Sequence, residues 1–223
     1  MGDAAHPDDE TLGCGATLSR CLATGAKVKI LFLGEGSTCR FEDNNSPEAI
    51  KEIERRNGFA LAAMRVLGIE DYDFCNLPCG RFDQVPIIEI NKVIEAKLQL
   101  FKPDTVLTHS GVDANNDHKI TFKATVMATR PCNSHVVKQL LCYEVLSSTE
   151  WAFMETFSPN YFVSVTEEQL EIKWRALQCY VTEMRKAPFP RSREGVENLA
   201  RHRGFQSGVP YAEAFRLIRR IDD

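Results

Sequence analysis

Apolar positions along this chain change period from segment to segment, and the changes divide it into alternating strands and helices. Residues 27–33 (Lys-Val-Lys-Ile-Leu-Phe-Leu) start as an alternating pattern and become wholly apolar, which predicts a strand entering a buried sheet. Short apolar runs with the same reading occupy 71–77, 104–108, 140–146 and 161–165. Helical periodicity fills the intervals: 12–23 with a stop at Gly25, 47–67 with a stop at Gly68, 86–101, and about 119–128. In the third of these, Ile87, Ile90, Val93, Ile94 and Leu98 share one face. Thr166-Glu-Glu-Gln169 is a capping box and predicts a helix running to about Arg185. Residues 34–47 form a long polar loop, and the C-terminal stretch 211–221 reads as a last helix.

Strands separated by helices of this length predict parallel βαβ units. The expected fold is therefore α/β and Rossmann-like, one domain over 1–223 with a mainly parallel sheet and helices on both faces. In such sheets ligands bind beyond the carboxyl ends of the strands. Composition adds exclusions. A chain of 223 residues can bury a substantial core, and a net charge of -4 leaves no electrostatic footprint for nucleic acid or an anionic membrane. No apolar run approaches a membrane span, and the first residues lack the basic and apolar regions of a signal peptide. The eight cysteines are scattered, with Cys21, Cys142 and Cys179 inside apolar patterns, which fits a reduced cytoplasmic protein rather than a disulfide scaffold. Cys75-x-x-x-Cys79 is the one close pair without a core role, but no second pair stands at zinc spacing.

Two polar segments carry the candidate chemistry. Ala5-His6-Pro7-Asp8-Asp9-Glu10 places one imidazole and three carboxylates at a helix start. Favourable capping and first-turn charge explain the carboxylates, but not the His fixed directly before them by a Pro. Imidazole with carboxylate suits zinc, and a carboxylate left over is a natural base for activating water. Such a site needs a further ligand, which the segment from Thr108 to His118 offers at the end of the 104–108 strand. There His118 follows Asp117, a residue able to orient a neighbouring imidazole. His135 and His202 lack surrounding carboxylates and read as surface or structural. Gly34-Glu-Gly36 follows a strand as a dinucleotide fingerprint would, but position 39 is Cys and a polar loop follows instead of a helix.

The Ala-His-Pro-Asp-Asp-Glu stretch, the later Asp-x-x-x-Asp-His and the C-terminal Arg-Gly-x-x-x-Gly-x-x-Tyr-Ala-Glu-Ala-Phe resemble the PIG-L/LmbE family of zinc-dependent amino-sugar deacetylases. The similarity runs in order from Ala5 to Phe215. It implies hydrolysis of the N-acetyl group of an N-acetylglucosamine-type sugar, so that the partner is a small amino-sugar. It also implies one zinc per chain, held by His6, Asp9 and His118, with Asp8 as general base. Two His and one Asp leave a position open for water, as in catalytic rather than structural sites. Glu10 has no metal role in this scheme and is read as a helix-start charge or local hydrogen-bond partner. Arg56, Tyr211 and Glu213 match substrate-binding positions, with a solvated helix arginine and simple packing as their structural alternatives. Trp151 and Phe153 could stack on a sugar, although core packing is the commoner fate of aromatics.

Two departures from the family pattern stand out. Many members carry His where this chain has Asn115, so the second oxyanion donor is expected to be His109 or Asn115. His109 is preferred because an imidazole can carry charge, with a core imidazole as the competing reading. Only Met1-Gly-Asp-Ala precede Ala5, so the first, central strand is expected to be a truncated stub. The alternatives are a zinc-dependent amidase acting on another acyl amine, or a metal- or sugar-binding homologue without turnover. A homo-oligomer is left open.

Overall fold

A strand covered on both sides must send apolar side chains in both directions. Residues Lys29–Gly34 (β2) do so: Ile30 and Phe32 enter one core, Leu31 and Leu33 the other, and all four are fully buried. The computed structural model describes residues 1–132 and 134–222. Here β2 joins β1 (Gly2–Ala4), β3 (Asp71–Leu77), β4 (Thr105–His109), β5 (Gln139–Tyr143), β6 (Tyr161–Ser164) and β7 (Ala212–Arg220) in one sheet. Its order is β3-β2-β1-β4-β5-β7-β6. The first five strands pair parallel, and β7 runs antiparallel between β5 and β6. Helices α1 (Asp9–Ala23), α2 (Pro47–Leu67), α5 (Glu167–Gln178) and α6 (Arg193–Ser207) pack with Ile30 and Phe32. Helices α3 (Ile87–Phe101) and α4 (Asn116–Ala128) pack with Leu31 and Leu33. The Rossmann-like arrangement expected from the alternation is the one observed. Among the described residues, no helix is long and apolar enough to cross a membrane.

The short central strand pairs on both sides. Gly2, Asp3 and Ala4 lie opposite Ile30, Leu31 and Phe32, and Gly2 also lies opposite Leu107. The Asp3 carbonyl further accepts from the Tyr143 hydroxyl at 2.7 Å. That tyrosine fits beneath α1 only because position 13 is glycine, since a Cβ there would stand 2.1 Å from its ring. Strand order reverses between β1 and β4, which is where open α/β sheets present a ligand crevice beyond the strand ends. The turn after β1 carries His6 to Glu10, and the loop after β4 leads to His118.

Several elements depart from the periodicity. The helix expected from about 119 begins at Asn116, because Asn115 caps it by accepting from the Asp117 N–H at 2.9 Å. The helix expected to reach Arg185 stops at Gln178. Helix α6 has no counterpart in the apolar pattern; its buried stripe is only Val196, Ala200 and Gly204, too small to register as an apolar face. The C-terminal 211–221 stretch is a strand and not a helix. Its Ala, Glu, Leu and Arg residues favour helix, but β5 and β6 both take their ladder from it, and pairing on two sides overrides local propensity.

The same strand places Glu213 against α1. Helix α1 is broken at Cys14 (φ -146°, ψ 16°), between Gly13 and Gly15. In an unbroken helix the Ala16 N–H would bond to the Leu12 carbonyl. Instead Ala16 donates to Glu213 Oε1 (3.1 Å), Thr17 donates to Glu213 Oε2 (2.6 Å), and the Leu12 carbonyl accepts from Lys173 Nζ (2.7 Å). Lys173 and Glu213 close the circuit at 2.6 Å. Glu213 is therefore a buried pin across the helix break. Tyr211 lies beneath Arg201, with 5.0 Å from guanidinium carbon to ring centroid, and packs at the edge of the core. Among the described residues, no hydrogen bond or ion pair joins either of them to the turn after β1 or the loop after β4. Because removing one partner strands the other as a buried charge, Glu213→Ala should cost about 3–5 kcal/mol. Adding Lys173→Met should recover part of that loss. An unchanged denaturation midpoint for Glu213→Ala would show that the pair does not hold the break together.

Candidate metal centre

The turn joining β1 to α1 buries its backbone polar groups, so each of them needs a partner. Ala5 N–H donates to His109 Nε2 (2.9 Å), His6 N–H to Asp9 Oδ2 (2.9 Å) and Asp8 N–H to Glu10 Oε2 (3.0 Å). The Pro7 carbonyl accepts from the Arg56 guanidinium at 2.8 Å. This closure holds Asp8 at φ 121°, a conformation that costs a non-glycine residue on the order of 1–3 kcal/mol. Glu10 is a buried clamp on the turn, which agrees with its reading as a local hydrogen-bond partner. It also accepts from the Tyr180 hydroxyl at 2.7 Å, and burial pushes its carboxyl up to about 7.

Closing the turn brings His6, Asp9 and His118 together, each with a ligand atom within 4.8 Å of the others and all buried. His6 Nδ1 lies 3.6 Å from Asp9 Oδ2, and His118 Nε2 lies 3.3 Å from the same oxygen. The far nitrogen of each ring meets a carboxylate: His6 Nε2 with Asp117 Oδ2 at 3.0 Å, and His118 Nδ1 with Asp113 Oδ1 at 3.2 Å. An imidazole backed in this way has its tautomer and orientation set for metal binding through the near nitrogen. The backing groups are anchored in turn. Asp113 accepts from the Ser148 and Thr149 hydroxyls at 2.5 and 2.6 Å, and Asp117 from the Gly80 and Phe82 N–H groups at 2.6 and 3.1 Å. Two imidazoles and one carboxylate form a donor set suited to a divalent ion of the zinc type.

The electrostatics of the cluster fit the same reading. Burial by itself would lower both imidazole pKa values, but the carboxylates outweigh it. His6 rises to about 9, helped by Asp117 and Asp9, and His118 to about 10, helped by Asp9 and Asp113. Burial opposes ionisation of Asp9 as well, yet the charge of His118 and hydrogen bonds to His118 and His6 hold it well below the usual carboxylate range. Asp113 falls to about 2 against its own burial through its bonds to His118, Ser148 and Thr149.

The other expected site residues divide. Asp8 lies beside the cluster in sequence, and its Oδ2 accepts from Arg56 (2.9 Å) and Arg191 (2.8 Å). Its remaining oxygen has no hydrogen bond among the described residues. Burial raises the Asp8 pKa, with Arg191 and Arg56 pulling the other way. Arg56 is 2% exposed and also paired with Glu183, so it is a buried holder of the turn and not the solvated helix arginine of the alternative reading. His109 does not fit an oxyanion donor that carries charge. It is fully buried, its Nε2 accepts from Ala5, and burial followed by the neighbouring His118 brings its pKa down to about 3. Its ring stacks on His118 at 4.0 Å between centroids, so it is a neutral core imidazole that positions both the turn and a ligand. Asn115 uses its side-chain oxygen as the α4 cap.

Sequence reasoning missed Arg191, Asp113 and Glu183. Asp113 was accessible as the first acid of the Asp-x-x-x-Asp-His spacing. Arg191 carried no signal, since it lies in a Pro-rich stretch 183 positions from the carboxylate it binds.

A Rossmann-like sheet with carboxylate-backed imidazoles at its switch point defines a metallohydrolase-type centre, and comparison with known proteins specifies the family. The PIG-L family, described as GlcNAc-PI de-N-acetylase, matches residues 4–129, and the chain belongs to it. It is 28% identical over 184 residues to the uncharacterized deacetylase YaiS of Escherichia coli strain K12, covering 78% of this chain and 85% of that protein. It is 25% identical over 221 residues to the diacetylchitobiose deacetylase of Thermococcus kodakarensis, covering 96% and 80%. Among solved structures, the conserved protein TT1542 from Thermus thermophilus superposes with a TM-score of 0.76 at 25% identity, covering 100% of this chain and 95% of that one. The fold is not confined to deacetylases: the 4-carboxy-2-hydroxymuconate hydratase GalB has a TM-score of 0.74 at 20% identity, with 100% and 97% covered.

With His6 raised to about 9 and His118 to about 10, a metal binding at neutral pH is expected to displace a proton from each ring. The raised values also mean that these rings stabilise the metal-free fold fully below about pH 6.5 and lose that contribution as pH rises through about 9 and 10. Calorimetry at pH 7 in buffers of different ionisation enthalpy should show about two protons released per zinc, and apparent affinity should fall roughly a hundredfold per pH unit lowered. Zinc binding without proton release would show that the rings are already neutral.

Proposed function

We propose that this chain is a zinc-dependent N-deacetylase that hydrolyses the acetamide of an N-acetylglucosamine-type sugar or sugar conjugate. The observation that carries this reading is the His6–Asp9–His118 donor set, with a carboxylate behind each imidazole and Asp8 one residue from a ligand. Membership of a de-N-acetylase family and similarity to a diacetylchitobiose deacetylase support the substrate class. The eight cysteines are free thiols, which fits a cytoplasmic setting.

Zinc held by His6, Asp9 and His118 would supply a Lewis acid and bring the ionisation of water toward neutral pH. Asp8 takes the proton of the attacking water on its unbonded oxygen and passes it to the amine as the carbon–nitrogen bond breaks, leaving acetate and a free amino-sugar. Arg56 and Arg191 keep Asp8 in one rotamer by gripping its other oxygen. Asp117 and Asp113 hold the two imidazoles in place. Negative charge accumulating on the amide oxygen needs a donor from the protein. The Asn115 side-chain amide is our candidate, since its oxygen is committed to the helix cap and its nitrogen has no partner among the described residues. Next to Ser148 and Thr149, which anchor Asp113, the chain exposes Trp151, Phe153 and Met154, a surface on which a sugar ring or apolar aglycone could stack.

Acetate release from a panel of N-acetylglucosamine-bearing sugars by the zinc-loaded protein tests the reading. A folded, zinc-replete chain that released acetate from none of them would overturn it. Asp8→Asn should keep the metal and lose roughly 10²–10⁴-fold in turnover. Loss of zinc by folded Asp8→Asn would mean that Asp8 acts as a ligand. Asn115→Ser preserves a good N-cap while withdrawing the amide donor. It should therefore leave the melting midpoint and zinc content near those of the parent and reduce kcat by roughly 10²–10³-fold; an unchanged kcat would remove Asn115 from the mechanism.

A further inference from the structure

The loops after β2 and β3 meet beside His6, and each brings a cysteine to the meeting point. Cys39 lies on a 3-10 turn, Thr38–Arg40, and is exposed; Cys79 lies in the turn after β3 and is buried. Their sulfurs are 3.1 Å apart, with the Cys79 thiol donating to Cys39 Sγ. The approach is built into the backbone of both loops. The buried Glu35 carboxylate accepts from the Cys79 N–H (2.7 Å), the Ser37 N–H (2.7 Å) and the Thr38 N–H (3.0 Å), and so ties the two turns to one point. Gly80, at φ 72°, then carries the chain away from Cys39, whose Cβ would stand 3.3 Å from a Cβ at that glycine. Cys75, the nearer cysteine in sequence, instead packs against the α3–α4 core.

We propose that Cys39 and Cys79 are a redox-active dithiol that closes to a disulfide on exposure to a peroxide, tethering the two loops that wall the His6 side of the metal centre. The exposed Cys39 thiolate attacks one peroxide oxygen, the O–O bond breaks, and Cys39 becomes a sulfenic acid as hydroxide leaves. The Cys79 sulfur then displaces that oxygen as water and forms the S–S bond. Two thiols and one hydrogen peroxide yield one disulfide and two waters, with the sulfurs losing the two electrons the peroxide gains. A dithiol reductant reverses the step by exchange. Forming the bond requires the sulfurs to close from 3.1 Å to about 2.05 Å. The Cys39 thiol sits down at about 6, chiefly through the hydrogen bond from Cys79, with Arg40 also lowering it, so the attacking thiolate is available at neutral pH. Because the Gly80 N–H donates to Asp117, which holds His6, the tether lies one hydrogen-bond chain from a ligand.

The dithiol stands independently of the deacetylation reading, and its test does not use turnover. The full chain is treated with one equivalent of hydrogen peroxide, with and without one equivalent of zinc; free thiols are then alkylated and peptides mapped by mass. The expected result is a peptide pair joined through Cys39 and Cys79, two hydrogens lighter than the sum of its parts, in both samples and separated by dithiothreitol. Cys39→Ser, at an exposed position, should abolish the link. Over-oxidation of Cys39 without a link, or alkylation of both thiols at their untreated levels, would overturn the proposal. So would a link that one equivalent of zinc suppresses, since Cys79 would then be a metal ligand together with His6 and Asp117, with which it forms a second compact donor group.

Discussion

Burying a charge without a partner costs several kcal/mol, and this chain buries five carboxylates within two short segments. Asp8, Asp9, Glu10, Asp113 and Asp117 are all inside, and the architecture around them can be read as the set of partners they require. Asp8 takes two arginines, Asp9 three imidazoles at 3.3 to 3.6 Å, and Glu10 a backbone N–H and a tyrosine hydroxyl. Asp113 and Asp117 face the far sides of the two ligand rings and are held by hydroxyls and loop N–H groups. The carboxylates that would position a metal thus also knit the loops after β1, β3, β4 and β5 into one edge. Metal binding and local folding share the same bonds.

The sheet makes this convergence possible. Parallel strands send all their carboxyl ends to one side, and the reversal between β1 and β4 leaves room there for two loops to meet. The strand that closes the other half of the sheet contributes differently. β7 brings Glu213, and α5 its partner Lys173, to the break in α1, so the first turn of that helix, which holds Asp9, can diverge from the helix body without stranded N–H and carbonyl groups. Residues far from the chemistry therefore act on it through geometry.

His109 illustrates how burial decides between roles that sequence position leaves equal. At the end of β4 it has the right address for an oxyanion donor. Yet its Nε2 is already an acceptor for the backbone of the metal-binding turn, and the charges and apolar groups around it keep it neutral. What it supplies is a stacked surface for His118 and a fixed point for Ala5. Sharing of this fold with a hydratase argues the same way: the reaction depends on which groups reach the crevice, not on the sheet beneath them.

The alternating apolar pattern was sufficient to determine the α/β class, the strands 71–77 and 27–33 to within two residues, and the helix over 47–67, because these segments bury a regular face whose period shows in the chain. The acid-rich motif after β1 and the His118 segment were equally legible, since ligand chemistry demands particular residue types at close spacing. Tertiary structure decided the rest. The C-terminal segment is a strand because two neighbouring strands offer it ladders on both sides, against its own helical leaning. Arg191 reaches Asp8, Glu213 spans the helix break, and Cys39 meets Cys79 through contacts that join residues 183, 197 and 40 positions apart. Periodicity reports only which side of an element is buried. Which charge it will meet there depends on how separate loops are brought to one sheet edge, and that is a property of the folded chain alone.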